Sequence, residues 1–141
     1  MTGYASTGWS YIAVSDAGGT LRDLSPWVES VGPLGQALTG RDVAGVNDTS
    51  ARTVAGVAAA QEFTLSGRWD DTPEIGPDAV LSAIVGCSVA IEYGPVGSAI
   101  GQRRVSGMFV CLSYRISSRA GEPVRFEVTF RQDGPVELGV W

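Results

Sequence analysis

The chain has 141 residues, 44% hydrophobic and 18% charged, with ten arginines, no lysine, no histidine and a net charge of −5. Its length fits one domain with a core of its own, spanning 1–141 with 1–10 as an N-terminal arm, and its apolar content excludes a disordered chain. The lack of histidine excludes Ser-His and Cys-His catalytic pairs, and a chain whose only adjacent basic pair is Arg103–Arg104 lacks the basic stripe that grips nucleic acid.

Nineteen glycines and seven prolines suit an all-β chain with many turns. "YIAVSD" (11–16) reads as a short strand stopped by "DAGG". In the next stretch Pro26 and Pro33 forbid a long helix, so the sequence predicts loop with a short strand or turn near Trp27–Val31. A strand is expected around Ala37–Val43. Small and polar residues without a large anchor follow, predicting a long flexible loop over about 43–59, and loops of that length in compact domains are usually functional or disordered.

From residue 61 the pattern sharpens. Phe63, Leu65, Gly67 and Trp69 alternate with Glu62, Thr64, Ser66 and Arg68, the period-2 signature of a half-buried strand. "SGRWDDTPEIGPDAVLSAIVG" (66–86) concentrates Asp70, Asp71 and Asp78. It reads as a strand end, a turn and a short helix at about 76–86. Pro77 suits the first helical position, Asp78 complements the helix dipole, and Gly86 is the expected C-terminal cap. Val80, Leu81, Ile84 and Val85 supply the apolar stripe. Adjacent Asp70 and Asp71 suit neither glycosidase acids nor a calcium cage.

"SVAIEY" repeats the alternation with Val89, Ile91 and Tyr93. "GPVGSAIG" (94–101) joins strand to strand, so it reads as a hairpin loop and not a phosphate cradle. In 102–118, Met108, Val110, Leu112, Tyr114 and Ile116 are expected to form one apolar face. Val124, Phe126, Val128 and Phe130 point inward from the next strand, leaving Arg125, Glu127, Thr129 and Arg131 outside. A turn, "QDGP", precedes a last strand at Val136–Val140. Cys87 and Cys111, without histidine, are expected to be reduced, buried small hydrophobes and not metal ligands. Trp9, Trp27, Trp69 and Trp141 are too scattered for a sugar-stacking platform, and burial in a core or interface is expected of them. No apolar run approaches the roughly 20 residues of a membrane helix, and no signal peptide stands at the N-terminus. A chain that is cytosolic when made is the expectation.

The order of "LRDLSPWVESV", "DVAGVND", "TVAGVAAAQEFTLSGRWD", one helix and paired long strands resembles the tail tube (major tail) proteins of long-tailed phages over most of residues 11–139. A Thr and an aromatic expected at "DVAG" are replaced. The resemblance implies a mainly β fold, a β-sandwich or half-barrel with one short helix. It also implies a homo-oligomer: six-membered rings stack in the virion tail with other tail proteins, around a channel that DNA crosses without specific binding. Catalysis, cofactor, metal and membrane contact are not expected. The long loop would carry contacts between subunits and rings through Asp42, Val43, Val46, Asn47, Asp48, Arg52 and Val54. Glu62 and Glu92 are the candidate channel charges. The rivals are a tail terminator or completion ring, a secretion-tube-like ring protein, and a monomeric β-sandwich ligand-binding module.

Overall fold

The computed structural model describes residues 10–34, 38–43, 52–58 and 61–141. Strand β1 (Tyr11–Ser15) ends in a turn built by Asp16, whose Oδ1 accepts from the backbone N–H groups of Gly18 and Thr20, both at 2.9 Å. The chain returns as β2 (Leu21–Asp23), a strand of three residues. That is too short for alternation to reveal, so the sequence left it inside an unstructured stretch. β3 (Val28–Val31) follows where a short strand was expected.

The predicted loop over 43–59 is a correction. β4 (Leu38–Val43) pairs antiparallel with β5 (Arg52–Ala58). Small residues hid the second strand, yet Thr53, Val54 and Val57 are β-branched and favour an extended chain. The two form a separate two-stranded sheet.

The main sheet has seven strands in the order β2-β1-β7-β8-β9-β6-β3, curled into a half-barrel. Its centre is β6 (Glu62–Arg68), β7 (Ser88–Gly94), β8 (Arg103–Ser117) and β9 (Arg125–Val140). β6 and β9 run in unbroken register from Glu62↔Arg131 to Arg68↔Arg125. Phe63, Leu65, Phe126, Val128 and Phe130 are buried on one face, as their alternation predicts. Phe63 stacks on Phe130 at 5.4 Å and meets Phe109 edge-on at 5.0 Å, the geometries that aromatic quadrupoles favour.

The apolar face expected for β8 is not one face. Val105, Phe109 and Cys111 are buried, whereas Met108 and Leu112 are exposed. The register runs Cys111↔Phe130 and then Ser113↔Thr129, so Leu112 is an extra, bulged residue. Past it the parity inverts: Tyr114 and Ile116 stand opposite Val128 and Phe126, Tyr114 packing against the core and Ile116 remaining exposed near the strand end. Counting every second residue across a bulge merges two faces.

β9 likewise continues through the expected "QDGP" turn. Gly107↔Val136 is followed by Phe109↔Gln132, so Asp133, Gly134 and Pro135 bulge opposite Met108. Gly134, at φ 110°, supplies the left-handed conformation there.

The helix α1 is shorter than expected, Pro77–Leu81. Ser82 ends it by donating both its backbone N–H and its hydroxyl to the Asp78 carbonyl. The chain then turns toward the sheet, where Val85 makes a parallel bridge to Cys111 and the Gly86 N–H donates to the Cys111 carbonyl. Val85 is therefore exposed and outside the predicted stripe. Gly86, at φ 85°, belongs to this link and not to a helix cap. Val80, Leu81 and Ile84 are fully buried and close the core over the inner face of the sheet.

Candidate functional site

Three surfaces carry the residues that the sequence singles out. The first is the β4–β5 pair, with register Asp42↔Thr53, Val43↔Arg52 and Arg41↔Val54. It brings Asp42, Val43, Arg52 and Val54 to one end of a ladder. Val46, Asn47 and Asp48 lie outside the described residues, as does most of the N-terminal arm.

The second is the face of the seven-stranded sheet turned away from the core and the helix. Glu62 pairs with Arg131 at 3.4 Å, and Glu92 forms an ion pair with Arg104 across β7 and β8. Neither candidate channel carboxylate stands alone. Sequence reasoning missed Glu29, which binds two arginines at once: Arg125 at 2.5 Å and Arg68 at 3.7 Å. Arg68 and Arg125 are direct neighbours in the β6–β9 ladder, where like charges destabilise, and Glu29 relieves them. It reaches them because Val28↔Gly67 is followed by Ser30↔Ser66, which makes Glu29 a bulged residue. The approach is close: a Cβ on Gly67 would lie 2.1 Å from the Trp27 carbonyl oxygen. A glycine between Ser66 and Arg68 in a strand was the only sequence signal.

The third surface is the acidic segment between β6 and α1, and it is strand, turn and helix as the sequence predicts. Asp70 accepts from the Thr72 backbone N–H at 2.7 Å and from its hydroxyl. The Thr72 hydroxyl, then its N–H, hold the Asp70 carboxyl below the usual range. Asp78 does more than complement a dipole. Its Oδ1 accepts from Tyr114 Oη at 2.9 Å and Trp69 Nε1 at 3.3 Å, tying the helix to the sheet. Burial, then the neighbouring Asp78, push the Tyr114 phenol upward. That tyrosine stays neutral and donating.

The tryptophans do not converge among the described residues. Trp27 and Trp69 pack against the core, whereas Trp141 meets Tyr11 edge-on at 5.2 Å with Arg104 over its ring. Cys111 is buried, and burial pushes its thiol to about 11. Cys87 is exposed, contrary to expectation, because it sits in the link after Gly86.

No family model matches the sequence, and no curated protein does. Solved structures do match in fold. The tail of an empty gene transfer agent particle, refined with C6 symmetry, superposes with a TM-score of 0.68 at 12% identity, covering 92% of this chain and 95% of that one. The SPP1 tail tube gives 0.69 at 10% identity over 95% of this chain and 78% of that one. A chain of the anti-feeding prophage baseplate gives 0.66 at 9% identity over 99% and 98%. The half-barrel fold is shared with these chains along nearly its whole length.

Proposed function

We propose that this chain is a structural, self-assembling subunit of a phage-type tail tube, without catalysis, in which copies close into a ring and rings stack around a channel that DNA crosses. The observation that carries this reading is the whole-length fold likeness to tail components. The β4–β5 pair supports it. Two-stranded sheets are marginal alone in water, and one set apart from the main sheet is suited to stabilisation by another copy. Asp42, Val43, Arg52 and Val54 would contribute to that contact, with Val46, Asn47 and Asp48 on the segment between the strands. The ring in this reading is six-membered, by analogy with the C6 tail, and the virion tail is its place of work.

The baseplate likeness favours a second reading, a ring that does not extend into a tube. Negative-stain microscopy of the pure protein over a concentration series separates the two. Long tubes are expected. Rings that never elongate would select the second reading, and a 14.7 kDa monomer at millimolar concentration would overturn both.

A further inference from the structure

Two cysteines that the tail reading leaves without a role stand opposite one another. β7 and β8 are in register from Tyr93↔Val105 to Ser88↔Val110, and the next position along is Cys87 with Cys111. The Cys111 N–H donates to the Cys87 carbonyl at 3.1 Å, while the Gly86 N–H, not that of Cys87, donates to the Cys111 carbonyl at 2.8 Å. Gly86, at φ 85°, and Cys87 therefore oppose Cys111 together, as a glycine-led bulge. The two cysteine side chains share a face. Val105, Phe109 and Cys111 form the buried row of β8, and Val89, opposite Phe109, and Ile91 are buried on that side of β7. Cys87, two residues before Val89, is the next member of the same row. Cys111 is fully buried and Cys87 is exposed. Cys87 borders a groove of about 340 Å³ between the Asp16 turn and β7.

We infer that Cys87 and Cys111 are an oxidisable dithiol, whose disulfide fastens the link between α1 and β7 to strand β8. Antiparallel residues bonded in this way have Cα atoms about 5.5 Å apart, inside the roughly 4.4–6.8 Å that a disulfide spans. Cys111 Sγ leans toward the Ser113 carbonyl at 3.9 Å, a weak contact that rotation about one side-chain bond gives up. A small-molecule disulfide is the oxidant. The Cys87 thiolate attacks one of its sulfurs, forming a mixed disulfide and releasing one thiolate. The Cys111 thiol then loses its proton and attacks Cys87 Sγ, expelling the second. The departing thiolates take up the protons that the cysteines lose, so the protein is oxidised by two electrons and the small disulfide becomes two thiols. Access sets the order. Burial pushes the Cys111 thiol to about 11, so Cys87 meets the oxidant and Cys111 resolves the adduct. Closing the loop over 87–111 removes freedom from the unfolded chain. The pair stays reduced in a reducing compartment and closes in an oxidising one. Neither step requires the chain to assemble.

The experiment treats the full chain with oxidised glutathione, alkylates the remaining thiols, and follows intact mass and non-reduced peptides. Wild type should pass through a single glutathione adduct on Cys87 and end without it, with a peptide pair joined through Cys87 and Cys111 and no thiol left to alkylate. C111A should stop at the adduct and hold it at least tenfold longer than wild type. C87S should take up neither glutathione nor alkylating reagent until urea unfolds it. Oxidised wild type should have a higher urea midpoint than the same protein after reduction. A wild type that holds the adduct as long as C111A does, or that joins two chains through Cys87, overturns the inference. An oxidised midpoint at or below the reduced one also overturns it. Should C111A fail to fold, the wild-type peptide map and the two midpoints decide alone.

Discussion

The β6–β9 ladder and the β4–β5 ladder are both antiparallel, the first in unbroken register and the second with a shift between Leu38 and Gly40, and they differ in the residues they are made of. The first presents Phe63, Leu65, Phe126, Val128 and Phe130 to a core closed by the helix. The second is written in Gly40, Ala55, Gly56 and Ala58, with no aromatic residue on either strand. Hydrogen-bond register alone gives little net stability, since each bond replaces one to water. Burial of large apolar groups provides the difference. The first ladder is anchored in the core of the subunit, and under the proposed function the second is the one a neighbouring copy would complete.

The largest effect should come from breaking the first ladder. Phe130→Ala removes a fully buried ring stacked on Phe63 and should cost about 3–5 kcal/mol, read as a lower urea midpoint. A loss below about 1 kcal/mol would mean that the aromatic cluster is not the centre of the core.

Asp78→Ala tests the attachment of the helix to that ladder. It strands the Tyr114 hydroxyl and the Trp69 indole N–H, and should cost about 1–3 kcal/mol. Tyr114→Phe in the same background should cost less than it does alone, because the two share one interaction.

Acid should act more gently, through exposed turns. The folded pKa values of Asp16 and Asp70 are depressed, Asp16 first by the Thr20 N–H and then by Arg22, and Asp70 first by Thr72. A depressed carboxyl contributes stability above its unfolded pKa, about 3.9, that is lost as pH falls through the folded value. The urea midpoint should therefore drop below about pH 4, and D16N/D70N should flatten that part of the profile. An unchanged slope would show that these turns do not govern it.

The smallest stability change should follow from replacing residues 38–58 with a short Gly-Ser turn. The subunit should remain folded within about 1 kcal/mol, since loop length enters closure entropy only logarithmically, while polymerisation is abolished. A trimmed protein that unfolds would make the second ladder part of the core and remove the contrast between the two.

Much of the main sheet was legible because burial on one face imposes period 2 on the strand beneath it. β6, β7 and the first part of β9 satisfied that condition, and their buried residues are those the alternation selects. The turn at Asp70 and the helix start at Pro77 were equally local, set by side chains within two or three positions. Pairing was not local. The bulges at Leu112 and at Asp133–Pro135 exist only relative to a partner strand. Neither residue sequence announces which strand that is. The same holds for charge: composition fixed the total at −5, but only the tertiary register brought Glu29 to Arg68 and Arg125 across three strands, and Glu92 to Arg104. Local chemistry determined where the chain extends and turns. Which side chains oppose one another was decided by contacts between residues as many as 96 positions apart, which no short-range pattern can encode.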